Sequence, residues 1–557
     1  MTFKRRDLEQ LFPVLREIFE EHRDHLNQLD SAVGDGDHGF TMTRTFRAVD
    51  RQVRGEFQDL GAGFEAAARV IAEGAGGAIG PILAPLFAEA GVVLAGKQRA
   101  GTPELARILQ GGLEGIRAVG KAEPGDKTLV DALAPAVEAL QNHQAEQLIP
   151  ALRRAQAAAA RGAEATAKMK AGQGRAQFLD ERSLGHPDPG AVSLSLILQG
   201  FLEVLEGREG QPLGEKDRAE ADPPPGKLIN HPEDIVAEDN QGLAWAYPEL
   251  VSLTPGGILV RAEPKAEGNV GLAVGHGGGH TPSMGGFIGP GLLDADAYGP
   301  VFTCASGVRI AEAVRLADCG DGVALLVSNH SGDVLNARLA VRLARQDGFR
   351  VTPVTLSDDI ATAPRNRYRE RRGLGGILFA LKTGGAAAEQ GRPLGEVVRI
   401  LEKTNRRTAT LAVAVSPPTH PATGEPLFEL PENQIEIGTG VHGEVGVYQG
   451  PHLPADQITD LVLERLVEDL SGFESRRMLV FLNGSGGTSL TELHILYRGA
   501  HRALEQHGIE VQAAVVNSYF TTQEMAGFSL SLCAVDEELV DLWDQPAAGP
   551  CFRWPRI

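Results

Sequence analysis

The chain changes texture once, and that break constrains its fold more than any motif does. Between Gly207 and Gly226 the run GREGQPLGEKDRAEADPPPG is charged, proline-rich and nearly free of large apolar residues, which is the composition of a tether. Before it, to about Glu206, the pattern is helical and dense in alanine, as in FEAAARVIAEGA, PALRRAQAAAARGAEATAKMKAG and AVSLSLILQGFLEVL. Alanine at that density favours helices that pack closely. After it, short β-rich runs alternate with helical segments: VALLV at Val323, VTPVTL at Val351, TLAVAV at Thr410, MLVFL at Met478 and VQAAVV at Val511. Helices between such runs imply βαβ connections and mainly parallel sheets. The expected architecture is multidomain, with an all-α domain over 1–206, a tether over 207–226 and an α/β domain over 227–557. SPPTHPATGEP interrupts the α/β pattern and divides it into lobes of about 227–416 and 417–557. At 557 residues, two or three domains are also expected from length alone.

The formal net charge of −20 argues against nucleic acid or an anionic membrane as partner, since both need a basic face. No apolar run is long enough to cross a bilayer. The opening MTFKRRDLEQLFPVLREIF mixes charges into an amphipathic helix and lacks a signal-peptide core. Cys304, Cys319, Cys533 and Cys551 lie far apart and match no metal spacing, so they read as buried or indifferent thiols in a reducing cytoplasm.

Three stretches of the second half carry chemistry. In VGHGGGHTPSMGGFIGPGLL, Val274 to Leu293, a short apolar strand empties into Gly277, Gly278 and Gly279, whose backbone amides can turn toward a bound oxygen, and His280 follows at the rim. The plainer reading is a tight turn with a solvent-facing histidine. LLVSNHSGDVLN, Leu325 to Asn336, offers Asp333 where the chain enters a helix, as a base or as a cap. IEIGTGVHGEVG, Ile435 to Gly446, leaves His442 unshielded between glycines. One His, one Asp and one His on three strand-end loops is the layout expected at the carboxyl edge of an α/β sheet.

These loops, with KLINHPEDIV from Lys227, LNGSGGTSLTEL at Leu482 to Leu493, EMAGFSLSL at Glu524 to Leu532 and LVDLWDQP at Leu539 to Pro546, resemble the substrate-binding K-type domain of the dihydroxyacetone kinases. The resemblance implies that His442 forms a hemiaminal with the substrate carbonyl, Asp333 activates the hydroxyl that attacks ATP, and His280 hydrogen-bonds the substrate and assists. It also implies that Gly277, Gly278, Gly279, His276, Thr281 and Ser328 border the substrate. A histidine nitrogen that adds to a ketone selects carbonyl compounds over polyols, which hydrogen bonds to hydroxyls do poorly.

In the first half, LNQLDSAVGDGDHGFTM, Leu26 to Met42, gathers Asp30, Asp35 and Asp37 around Gly34 and Gly36. Hard oxygen ligands on a short loop suit Mg²⁺, which leaves its other positions to waters and phosphates. An EF-hand fails on ligand spacing and on the missing terminal glutamate. A solvated acidic turn is the other reading. GDGDHG at Gly34, GDKTLVDALAPA at Gly125 and GRAQFLDERSLGHPDPGAVS at Gly174 resemble the nucleotide-binding L-type domain of the same family. By that resemblance the three aspartates hold two Mg²⁺ against ATP, and His38, Thr41, Gly76, Gly77, Thr128, Arg175 and Asp188 enclose the nucleotide. An antiparallel barrel of eight helices and a homodimer are implied as well.

The order of the two domains is inverted relative to the usual single-chain members. GAGGAIGP puts Ile79 where the phosphate loop usually has a serine. In the substrate loop Gly278 replaces a serine and Thr281 a glutamate, His276 is an added imidazole, and Ser328 replaces a lysine. Catalytic positions kept among altered neighbours suggest the same reaction on a different substrate, and the shorter side chains at Gly278, Thr281 and Ser328 are expected to leave more room and fewer charged groups around the hydroxyl end of that substrate. The expected function is an ATP-dependent kinase acting on a terminal hydroxyl of a short-chain ketose, dihydroxyacetone or by preference a tetrulose such as erythrulose. The alternatives are a non-catalytic sensor, a phosphotransferase-fed subunit, and an FAD-cleaving cyclase.

Overall fold

The computed structural model describes residues 2–32, 34, 36–55, 57–74, 77–173, 180–211, 213, 226–421, 424–444 and 446–555. The chain divides into two compact units, Met1–Glu220 and Ala221–Ile557.

The first unit begins with β1 (Phe3–Lys4), which pairs antiparallel with β2 (Arg99–Ala100). Its described residues form eight α-helices: α1 (Arg5–Ser31), α2 (His38–Gln52), α3 (Leu60–Gly74), α4 (Ile79–Leu94), α5 (Thr102–Gly120), α6 (Val130–Gln141), α7 (Leu148–Ala165) and α8 (Pro189–Leu205). Each helix packs on the next, and α8 returns to α1, closing a ring. Leu8, Leu11, Phe12, Leu15, Ile18 and Phe19 put one face of α1 into the core at helical spacing. The small residues set the spacing between helices. A Cβ at Gly61 would stand 2.6 Å from Gly91 O, and one at Gly162 would stand 2.2 Å from Asp131 O, so α3 and α4, and likewise α6 and α7, approach backbone to backbone. Part of the expected tether belongs to this unit. Arg16 donates to Gln211 O at 2.6 Å, Arg54 to Leu213 O at 2.6 Å, and Gly210 N to Gln10 at 3.1 Å, so the backbone of this stretch finds its partners on α1 and just beyond the end of α2.

The second unit holds two six-stranded sheets. The first contains β3 (Val251–Leu253), β4 (Ile258–Arg261), β5 (Asn269–Gly278), β6 (Ala295–Val301), β7 (Gly320–Ser328) and β8 (Val351–Leu356), in the order β3-β4-β6-β5-β7-β8. Its β6-β5-β7-β8 half is parallel, and its other two pairings are antiparallel. The second contains β9 (Thr408–Ser416), β10 (Gln434–Ile437), β11 (Tyr448–Pro451), β12 (Arg477–Gly484), β13 (Glu510–Asn517) and β14 (Ala526–Ala534), in the order β11-β10-β9-β14-β12-β13. Only its β12–β13 pair is parallel. The expectation of mainly parallel sheets therefore fails for the second sheet. Among the described residues no helix separates β9 from β10, β10 from β11 or β13 from β14, and without a crossover the chain returns antiparallel. The division between lobes also falls earlier than SPPTHPATGEP, because β9 already belongs to the second sheet. The helix Ile377–Glu389 is buried all round, with twelve of its thirteen residues inside, and shares one core with Leu272 and Val274 of the first sheet and Leu479 and Phe481 of the second.

Candidate active site

β5 does not stop at Val274. It runs on through His276 to Gly278, and Gly279 then turns with φ +89°. His276 is thus a strand residue on the same face as Val274, whose register partner on β6 is Asp296. Its Nε2 lies 3.2 Å from Asp296 Oδ2 and receives Met284 N at 3.2 Å. Burial would lower the His276 pKa, but the Asp296 carboxylate, with Asp333 behind it, holds it above the ordinary value. Asp333 itself is the third residue of the helix Ser331–Gln346, where His330 occupies the N-cap, so its carboxylate stands in the first turn without capping the helix.

His280 and His442 meet in the interior, each less than a tenth exposed. His280 Nδ1 donates to Thr521 O at 2.6 Å, and His280 Nε2 faces His442 Nε2 at 3.2 Å. On its other side His442 Nδ1 lies 3.2 Å from Glu444 Oε1, while Glu444 Oε2 accepts His442 N at 2.9 Å. Burial would raise the Glu444 carboxyl, but His442, Arg372 and His330 hold it well below the usual carboxylate range. The proton count follows. A carbonyl and an ionised carboxylate only accept, so both Nδ1 atoms carry a proton. Two Nε2 atoms in hydrogen-bond contact then need one more proton between them, which gives the pair a single positive charge opposite Glu444. Burial, and then the charge of His442, push the His280 pKa well below the ordinary histidine value, so His280 holds that proton weakly.

The expected bordering residues are placed unequally. A Cβ at Gly277 would meet Thr303 N at 2.8 Å, and one at Gly279 would meet Phe302 and Val301 at 2.9 Å, so both must be glycine for the loop to lie against that strand end. A Cβ at Gly278 would stand 2.3 Å from Val236 Cγ2. The room expected there is therefore already filled by a side chain from the helix Ile235–Ala246. Thr281 turns its hydroxyl to Asp239. Ser328, the last residue of β7, points Oγ at Gly373 O, 3.4 Å away.

Sequence reasoning passed over His330 and Glu444, although both lie inside the quoted blocks. His330 Nδ1 is 3.7 Å from Glu444 Oε1, and its ring centre is 5.3 Å from that of His442. A carboxylate two residues beyond a histidine, in a glycine-spaced loop, was the available signal.

In the helical unit, Asp30 sits at the end of α1 and its Oδ2 accepts Asp37 N at 3.0 Å and His38 N at 3.3 Å, folding the acidic loop back on itself. His38 Nε2 lies 2.8 Å from Ser193 Oγ on α8, and burial lowers its pKa. Asp188 caps α8 by accepting Ala191 N at 2.7 Å. Burial, with the charges of Asp30 and Asp131 adding to it, pushes the Asp188 carboxyl up to about 7. Asp131 accepts Gly125 N and Thr128 N, fixing the loop that carries Thr128. Thr41 is buried on α2, and Gly77 turns with φ +64° ahead of α4. Asp35, Gly76 and Arg175 lie outside the described residues. The charges of Asp30 and Asp131 add to the burial that raises the Asp188 carboxyl, and a divalent cation beside them would relieve that repulsion. No helix among the described residues is long and apolar enough to cross a membrane.

Residues 241–551 match the Dak1 domain and residues 32–203 the DAK2 domain. An L-erythrulose kinase of Pectobacterium atrosepticum is 36% identical over 330 residues, 58% of this chain and 56% of that protein. The chain thus spans little more than half the length of that relative. The dihydroxyacetone-binding subunit DhaK of a PTS-dependent dihydroxyacetone kinase of Listeria innocua is 35% identical over 321 residues, 58% of this chain and 98% of the subunit. Among solved structures, the dihydroxyacetone kinase from C. freundii in complex with AMP-PNP and Mg²⁺ superposes with a TM-score of 0.54 at 28% identity, over 58% of this chain and 59% of that one. The chain therefore belongs to the dihydroxyacetone kinase family, with its DAK2 domain ahead of its Dak1 domain.

Proposed function

We propose that the chain is an ATP-dependent kinase that phosphorylates a terminal hydroxyl of a short-chain ketose held on His442. The observation that carries this reading is the run Thr521–His280–His442–Glu444, in which two imidazoles share one proton between acceptors at both ends. A carbonyl entering between the rings would meet a nucleophile and an acid together. His442 Nε2 adds to the carbonyl carbon, the C=O electron pair moves to oxygen, and that oxygen takes the shared proton from His280. The product is a hemiaminal whose positive charge has passed to His442, where Glu444 faces its Nδ1–H. Glycerol has no carbonyl to enter this exchange, so the site selects ketoses over polyols.

Asp333 then accepts the proton of the terminal hydroxyl as that oxygen attacks the γ-phosphate, and the main gain is positioning. Asp30 and Asp37, together with Asp35, would hold Mg²⁺, which neutralises phosphate charge when bound. His38, Thr128 and Asp188 line the nucleotide beside them. The relatives named as L-erythrulose kinase and as the dihydroxyacetone-binding subunit support the substrate class, and the C. freundii enzyme in complex with AMP-PNP and Mg²⁺ supports ATP as the donor. We place the tetrulose ahead of dihydroxyacetone and the working form as a homodimer in the cytoplasm. The test is an ADP-release screen over dihydroxyacetone, erythrulose, glyceraldehyde and glycerol at fixed Mg·ATP. Turnover with the ketoses and little with glycerol is expected, and equal turnover of glycerol would overturn the reading.

A further inference from the structure

We infer that His330, His442 and Glu444 form a binding site for a transition-metal dication of the zinc class, and that its occupation and catalysis exclude each other. One ligand atom from each of the three, all buried, lies within 4.8 Å of the others. Glu444 Oε1 is 3.2 Å from His442 Nδ1 and 3.7 Å from His330 Nδ1. In a tetrahedral site with bonds of roughly 2.0–2.1 Å, neighbouring donors stand about 3.3 Å apart. Two of the three edges therefore already have nearly the required length, and the third lies within 4.8 Å.

The supporting contacts also have the form of a metal site. His330 presents its other nitrogen to Gly373 O at 3.1 Å, the outer partner that fixes a ligating imidazole. His442 presents its other nitrogen to His280, away from the proposed cation. Glu444 Oε2 is occupied by His442 N and faces Arg372 at 3.9 Å, leaving Oε1 on the open side. Arg372 is itself paired with Asp359, which limits its repulsion of a cation. Two imidazoles and one carboxylate suit zinc and its neighbours, whereas Mg²⁺ prefers an all-oxygen set.

The conflict with catalysis rests on the proposed role of His442. A metal on Nδ1 takes that nitrogen's lone pair, and the neutral ring must then keep its proton on Nε2. An Nε2–H has no lone pair in the ring plane to add to a carbonyl. Without metal, Glu444 accepts a hydrogen bond from the Nδ1–H, and the lone pair is on Nε2. Glu444 Oε1 thus chooses between accepting that hydrogen bond and holding a metal.

The site is tested on the untagged full-length chain, stripped with chelator and titrated with Co²⁺. One equivalent should give the intense visible absorption of a tetrahedral ion, distinct from the weak bands of Co²⁺ at the oxygen ligands of the helical unit, and Zn²⁺ should displace it. His330→Asn should weaken that signal by about a hundredfold or more in affinity, and Glu444→Gln should do the same. Asp30→Asn should leave it unchanged. Absence of a tetrahedral band, or a band that survives His330→Asn, overturns the site. Should the band form while ketose turnover continues at full rate with Zn²⁺ bound, the metal site stands and the covalent role of His442 falls.

Discussion

The Nε2 atoms of His280 and His442 face one another across 3.2 Å, and neither ring can turn away without giving up a bond on its far side, to Thr521 O or to Glu444. The pair is thereby oriented before any substrate arrives, which removes the cost of aligning two side chains at the moment of reaction. His442→Ala removes the proposed nucleophile and leaves the rest of the pocket, so ketose should still bind but without a covalent bond. Intact-protein mass spectrometry after a rapid acid quench with erythrulose should show the adduct in the parent and none in the variant. The preference for ketose over polyol should fall by at least about tenfold. An undiminished preference would remove His442 from the chemistry.

Glu444 predicts an acid limb in stability. Its folded-state pKa lies well below the ordinary glutamate value. Such a group stabilises the fold above the unfolded-state pKa, near 4.3, and loses that contribution as pH falls toward the folded value. Glu444→Gln keeps the shape and removes the charge. Its melting temperature should lie below the parent's at neutral pH and approach it on acidification below about pH 4. Parallel curves would show that Glu444 gains nothing from His442 and Arg372.

Asp188 has the opposite sign. Its pKa rises from 3.8 to about 7, so between those values the folded chain holds a proton that the unfolded chain has lost. Stability of the helical unit should therefore fall as pH rises through this window, by up to about 1.4 kcal/mol for each unit of pKa difference. Mg²⁺ favours the ionised carboxylate and should flatten the slope. Asp188→Asn keeps an effective cap for α8 and should flatten it without metal. Far-UV circular dichroism melts of the full chain across pH, with and without Mg²⁺, measure this. A slope that Mg²⁺ and Asp188→Asn both leave unchanged would contradict the assignment.

Periodicity made the helices and most strands legible. Alanine density foretold the close helix packing that Gly61 and Gly162 make possible, and VALLV, VTPVTL and MLVFL lie in strands β7, β8 and β12. Strand direction was not legible, because it depends on which strands pair, and β14 inserts between β9 and β12 from more than forty residues away in the chain. His442 and His280 stood out through the glycines around them. Their partners did not. Thr521 meets His280 through its backbone carbonyl, which no side-chain pattern marks, and Asp296, the partner of His276, is an acidic residue inside an otherwise ordinary strand. Val236 was illegible for a related reason: the loss of a side chain at Gly278 reads as space until the helix that fills it is known.

That last point sets the size of the substrate preference. Three departures were expected to enlarge the hydroxyl end of the site, but Val236 fills the space at Gly278 and Asp239 draws the Thr281 hydroxyl aside. Ser328 remains, a short side chain whose hydroxyl makes only a long contact to Gly373 O. One such difference is worth about 1–1.5 kcal/mol, so erythrulose should exceed dihydroxyacetone by roughly tenfold in kcat/KM, at the low end of what pocket changes of this kind give. Ser328→Lys should lower erythrulose turnover more than dihydroxyacetone turnover, because a long cationic side chain would occupy the place of the additional carbon. Val236→Ala should widen tolerance toward pentuloses with little change for dihydroxyacetone, which does not reach that wall. The ADP-release assay on the three proteins decides it. If dihydroxyacetone is the better substrate of the parent, or if Ser328→Lys lowers both ketoses equally, position 328 does not set chain length.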